Sequence, residues 1–141
     1  MLFKADTQHA LRALAVLAGS ARQVSTTRLA REIGASEPAL AKVLQRLAQQ
    51  GILAGRPGPG GGYVLSRPAA DVSLWELVTL FEGPNFGRAC IFGLPRCSGE
   101  GHCPLHDEWQ QIRGRLMRLL EQGTLAALAD GAMAPGRGPR P

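Results

Sequence analysis

Apolar side chains recur through the first third of the chain at intervals of three and four, the spacing that gathers residues on one face of a helix. Ala10, Leu11, Leu14, Ala15, Leu17 and Ala18 predict a first helix over about Asp6–Gly19, closed by Gly19-Ser20. Leu29, Ala30 and Ile33 predict a shorter second helix, Thr26–Ile33, with Ser25 as its cap. After a tight Gly34-Ala35 turn, Ser36 caps a third helix whose buried positions are Leu40, Val43, Leu44 and Leu47. Pro38 falls in its first turn, where a missing N–H is harmless, and Gly51 ends it. Two short strands follow, Ile52–Arg56 and Gly62–Ser66, joined by Pro57-Gly58-Pro59-Gly60-Gly61.

Beyond the strands, Ser73 caps a fourth helix, Leu74–Glu82, with Leu74, Leu77, Val78 and Phe81 apolar. Gly83–His102 is irregular and rich in Gly and Pro; so long a loop in a compact chain points to function or disorder. From Pro104 the helical pattern returns: Leu105, Trp109, Ile112, Leu116, Leu119 and Leu120 form a stripe too long for a small winged helix to cover. The stripe predicts pairing with a second copy; the alternative is packing against the chain's own first helix. Thr124–Ala129 adds a short helical turn, and Gly131–Pro141 reads as a disordered tail.

Two helices joined by a tight turn and followed by a hairpin make a mainly α fold: a winged helix-turn-helix with a two-stranded wing and a long C-terminal dimerisation helix. The expected division is a DNA-binding domain over 1–82, a cysteine-rich loop over 83–103, dimerisation and short C-terminal helices over 104–130, and a tail over 131–141. The glycine run in the hairpin is not a phosphate loop, because it lacks the Gly-Lys-Ser/Thr ending and opens a strand rather than a helix.

Charge sharpens this picture. The net charge is +5 over 141 residues, and residues 1–75 hold nine basic side chains against four acidic ones, which accounts for all of the excess. A basic N-terminal half is the footprint of a polyanion-binding module and points to double-stranded DNA. No apolar run approaches a membrane span, and Asp6, His9 and Arg12 interrupt any signal-peptide core. The expectation is a cytoplasmic protein with no membrane partner and no small-molecule substrate.

On the third helix, Ser36, Glu37, Ala39 and Lys42 are placed to reach base edges. Lys42 would donate to guanine, Glu37 accept from cytosine, and the Ala39 methyl meet a thymine methyl. Arg28, Arg46 and Arg56 are candidate phosphate clamps, and Gly60, Gly61 and Tyr63 form the part of the wing that approaches DNA. An enzymatic Cys–His pair lacks a third orienting group and an oxyanion loop, so catalysis is not expected.

Three cysteines, an odd number, argue against a disulfide framework in a reducing compartment. Cys90, Cys97 and Cys103 read C-x6-C-x5-C, and His106 follows as C-x2-H. Cys103 precedes a helix start, where free N–H groups and the dipole favour a thiolate. The spacing allows a Cys3His zinc site, though without the usual close Cys knuckle, an iron–sulfur cluster, or free thiols.

The segment Arg56-Pro57-Gly58-Pro59-Gly60-Gly61-Gly62-Tyr63-Val64-Leu65 resembles the wing of the regulator family that contains the iron–sulfur-assembly repressor IscR and the nitric-oxide-sensing repressor NsrR. Leu40, Lys42, Val43 and Leu44, with Leu47, Gly51, Ile52 and Leu53, resemble that family's recognition helix and its exit. The resemblance runs from about Phe3 to Leu125. It implies a homodimeric regulator with a cluster-binding loop before the dimer helix. It also implies that Cys90, Cys97, Cys103 and His106 hold an iron–sulfur cluster, 2Fe–2S first and 4Fe–4S as the alternative. Two departures stand out. The first Cys interval is x6 where the IscR branch has x5, and Ala41 replaces a recognition-helix glutamate. In the NsrR branch the partner's first helix supplies a ligand; here Gln8, a poor ligand, stands at that place, with Asp6 and His9 nearby.

Overall fold

The computed structural model describes residues 2–94 and 103–130. In chain order these form α1 (Ala5–Ala18), α2 (Thr26–Ile33), α3 (Glu37–Gln49), β1 (Leu53–Arg56), β2 (Gly62–Leu65), a 3-10 turn (Ala69–Asp71), α4 (Leu74–Glu82), α5 (His106–Gln122) and α6 (Leu125–Asp130). The expected tail at 131–141 lies outside the described residues.

Three serine caps set the helix starts. Ser25 Oγ accepts from the Arg28 N–H at 3.2 Å, Ser36 Oγ from Ala39 at 3.4 Å, and Ser73 Oγ from Glu76 at 3.1 Å. Each satisfies one of the amide donors a helix start leaves unpaired. Gly34, in the left-handed region at φ 69°, closes α2 and turns the chain into α3. The first helix begins one residue earlier than its apolar pattern predicts, and Leu11 and Ala18 are only half-buried; its core face is instead completed by Thr7 and Ala13. The strands pair antiparallel, Leu53 opposite Leu65 and Arg56 opposite Gly62, so the wing's open end is the Pro-Gly loop.

α1 is the hub, contacting α2, α3, α4, α6 and β2. Leu14, Leu29, Ile33, Leu40, Leu44, Leu47 and Leu77 are fully or almost fully buried around it. The C-terminal helices return to the same core. Leu74 donates to the Gly123 carbonyl at 3.0 Å and Leu125 to Val72 at 2.9 Å, a short bridge that seats the fully buried Leu125. α5 starts at His106, two residues later than Pro104, because the chain first makes a turn in which His106 N–H bonds the Cys103 carbonyl at 3.2 Å. Among the described residues no helix is long and apolar enough to cross a membrane.

Candidate DNA interface and cysteine segment

The two-stranded wing is tied to the connection between α1 and α2 by an isolated bridge. Val24, between α1 and α2, exchanges two backbone hydrogen bonds with Tyr63, at 3.0 and 2.9 Å. Gly62 permits this approach: a Cβ there would lie 2.4 Å from the Val24 carbonyl oxygen. The Tyr63 ring lies over Gly55 on the facing strand, where a Cβ would come within 3.3 Å of it. Gly61 folds the tip tightly, its N–H bonding the Gly58 carbonyl at 2.9 Å. Gly60 offers its carbonyl to Gln23 Nε2 at 2.5 Å.

On α3, Lys42, Gln45 and Gln49 are exposed at i, i+3 and i+7, forming one outward row opposite Leu40, Val43, Leu44 and Leu47. Lys42 forms no ion pair among the described residues. Several of the other predicted base readers and phosphate clamps have partners within the subunit. Glu37 accepts from Thr27 Oγ1 at 2.8 Å, which ties α3 to α2. Ser36 is occupied as the cap, and Ala39 is half-buried. Arg28 pairs with Glu32 at 2.7 Å on a solvent-facing turn, so its charge is partly answered locally. The Arg46 guanidinium sits 5.2 Å from the Phe81 ring centroid, a cation–π contact with the last turn of α4. Arg56 is exposed at the wing base and lines the clefts on the wing's flanks. Gln45 is exposed, as its outward position on the third helix implies, whereas Gln23, Thr27 and Gln49 were not singled out by the sequence, since uncharged polar residues carry no periodic signal.

The segment after α4 is anchored before it reaches its cysteines. Glu82 Oε1 accepts from the Lys4 N–H at 2.6 Å and from Thr7 Oγ1 at 2.7 Å, capping α1 from another helix. Phe86 packs against Phe3 and Trp75, with ring centroids at 5.5 and 6.5 Å. Gly87, at φ 80°, lies so close to Met117 of α5 that a Cβ would meet its sulfur at 2.7 Å. Cys90 is buried, and its Sγ accepts from the Phe92 N–H at 3.4 Å. Cys103 is half-buried, one turn before the similarly half-buried His106. Cys97 lies outside the described residues, and among those described no three His, Cys, Asp or Glu residues converge as a metal site.

Comparison with known proteins agrees with this architecture. The family model for Rrf2, iron-dependent transcriptional regulators, matches residues 3–131. A putative HTH-type transcriptional regulator of Aquifex aeolicus is 27% identical over 133 residues, covering 92% of each chain. The HTH-type transcriptional regulator IscR of Serratia proteamaculans is 30% identical over 97 residues, which span 69% of this chain and 58% of that protein. Among solved structures, CymR, described as the global cysteine regulator of B. subtilis, superposes with a TM-score of 0.76 at 21% identity, covering 92% of this chain and 97% of that one. IscR of T. potens superposes with a TM-score of 0.68 at 23% identity, covering 94% and 92%. These matches, with the helix-turn-helix and wing already described, establish that the chain belongs to the Rrf2 family and is a DNA-binding transcriptional regulator, not an enzyme.

Proposed function

We propose that this regulator acts as a homodimer whose sequence-specific DNA affinity follows the state of the segment between α4 and α5, held by Cys90, Cys97, Cys103 and His106 as ligands of an iron–sulfur cluster. The donor set fits such a group. It is soft, it has a backbone N–H already directed at Cys90 Sγ, and Cys103 and His106 share one turn. The 2Fe–2S form is preferred and 4Fe–4S is the alternative. When bound, the cluster supplies one-electron redox chemistry and a covalent clasp across the segment.

The observation that carries the reading is the double attachment of α4's last turn, immediately before that segment. Phe81 touches the recognition helix through Arg46, and Glu82 caps α1, the hub of the domain. A change in the path of residues 83–103 therefore acts on side chains that hold α1 and α3. A coupling of about 1–3 kcal/mol between segment and DNA face is enough for a 5- to 150-fold change in affinity.

The dimer reading rests on α5. Leu105, Ile112 and Leu119 are 49%, 55% and 64% exposed and recur every seven residues. Half-buried Trp109 and Leu116 stand four residues after the first two, which completes a heptad seam. Leu120, only 5% exposed, faces the subunit's own core.

The test is iron, sulfide and visible-absorption analysis of anaerobically prepared protein, wild type against Cys97→Ala, with DNA affinity measured in parallel. A brown wild type and a colourless variant with altered affinity support the reading. Protein that stays colourless and free of iron and sulfide after anaerobic reconstitution overturns it. A second reading, control by the thiols alone or by a partner protein, is favoured by the likeness to Staphylococcus aureus CymR, which is 25% identical with a TM-score of 0.70. Under thiol control, DNA binding is indifferent to iron and changes on alkylation of the cysteines.

A further inference from the structure

The recognition helix and wing do not exhaust the basic surface of the DNA-binding half. Arg22 lies in the α1–α2 connection, exposed and without an ion pair among the described residues. With Arg56 of the wing it lines a cleft of about 460 Å³ whose other walls are Ala21, Gln23, Gly60 and Val64. Among the described residues no carboxylate lines this cleft, so the two guanidinium groups border it with no counter-charge from those residues. The connection and the wing are also fastened together. Val24 pairs with Tyr63, Gly62 lets the backbones meet, and Gln23 Nε2 holds the Gly60 carbonyl at 2.5 Å. Gln23 is the side chain that spans from one wall to the other, so it fixes where the wing tip stands relative to Arg22.

We propose that this cleft is a binding site for a DNA backbone phosphate, with Arg22 and Arg56 as its cationic walls and Gln23 as the positioning residue that holds the wing tip in register with them. The chemistry favours a phosphodiester. A guanidinium presents a planar fork of N–H donors that matches phosphate oxygens. Wing glycines without side chains allow a sugar–phosphate strand to come close. The contact positions the duplex without reading its sequence. A second cleft, bounded by Ser25, Thr26 and the other flank of the Pro-Gly loop, also includes Arg56. The site thus extends the DNA footprint from the α2 side of the wing to the α1–α2 connection. The proposal rests on the chain's DNA binding and is independent of any cluster.

The test uses the full-length protein and two duplexes: one that the wild-type chain selects from a random-sequence pool, and a scrambled duplex of equal length. Binding is followed by fluorescence anisotropy across a salt series. Arg22→Ala should weaken both duplexes by a similar factor, roughly 3- to 10-fold at ~0.1 M salt. It should also reduce the slope of log K against log salt by about 0.9 per subunit bound. Arg22→Lys, which keeps the charge, should restore most of the slope. Gln23→Met, similar in length but without a donor, should reproduce a smaller part of the loss with an unchanged melting temperature. An unchanged slope in Arg22→Ala overturns the phosphate site. A loss confined to the selected duplex assigns Arg22 to base reading and overturns it equally. A wild-type affinity in Gln23→Met overturns the positioning role of Gln23.

Discussion

Replacing Ile112 by glutamate should dissolve the proposed dimer while leaving each subunit folded. Complete burial of an isoleucine or leucine side chain is worth about 1.5–3 kcal/mol. Ile112, Leu105 and Leu119 retain 55%, 49% and 64% of their exposure in the isolated subunit. Covering what remains contributes roughly 1 kcal/mol for each, hence roughly 6 kcal/mol for three residues from two subunits, against which the cost of association is set. A glutamate at 112 removes about 2 kcal/mol of this across the pair. It also brings two carboxylates into an apolar seam, a penalty of at least about 1 kcal/mol more. The sum corresponds to a dimer dissociation constant raised about a hundredfold or more. Sedimentation equilibrium over a micromolar concentration range measures it directly, with far-UV circular dichroism to show that helix content persists. Leu120→Ala is the counterpart, since Leu120 is buried within the subunit; it should lower stability by about 2–3 kcal/mol, near the low end of the range for such truncations. If Ile112→Glu is folded and associates with wild-type affinity, α5 is not the seam and the dimer argument fails.

Gly62→Ala should cost about 1–3 kcal/mol in urea denaturation, because its Cβ cannot coexist with the Val24 carbonyl at 2.4 Å and the two Val24–Tyr63 hydrogen bonds must yield; wild-type stability would show that the bridge is looser than its geometry implies. Glu82→Ala leaves the fully buried Thr7 hydroxyl without its acceptor and should lower stability by about 2 kcal/mol, whereas Glu82→Gln, which keeps an acceptor oxygen, should lose less than half of that. The same pair checks the relay: in Glu82→Ala the difference in DNA affinity between protein with intact and with alkylated cysteines should shrink, and an undiminished difference removes Glu82 from the coupling. Lys42→Ala should weaken binding to the selected duplex by about 1–3 kcal/mol and relax preference at one base pair; an equal loss on scrambled DNA reassigns Lys42 to the backbone.

Most of the fold was readable from periodicity and caps. Ser25, Ser36 and Ser73 mark helix starts because a hydroxyl before an apolar run has one strong use, and all three hydroxyls accept the amide expected of them. The Pro-Gly run between two short apolar strands marks the wing for the same reason, since few other backbones accept those residues. What stayed hidden were pairings between elements distant in sequence. Glu82 and Thr7 are 75 residues apart, and nothing in either local pattern distinguishes a capping carboxylate from a solvated one. The Arg46–Phe81 contact was invisible for a similar reason: a helix wheel shows Arg46 exposed but not what stands beside it. The start of α5 was misjudged by two residues because Pro104 suits the first turn of a helix as well as the turn that precedes one.

Those hidden contacts change how the DNA face is understood. Glu37 serves Thr27 and Ser36 serves the helix cap, so two predicted base readers are engaged within the subunit before DNA arrives, and the predicted phosphate clamp Arg46 also contacts Phe81. The outward row that remains, Lys42, Gln45 and Gln49, carries a single charge. One lysine on the recognition helix cannot supply the electrostatic attraction that dominates protein–DNA affinity. The excess charge of the N-terminal half must therefore act from the flanks, and the flank with two unanswered arginines is the cleft between the α1–α2 connection and the wing. On this account discrimination and affinity are divided between two surfaces. Substitutions on the outward row should change which sequence is preferred, and substitutions at Arg22 or Arg56 should change how strongly any sequence is held.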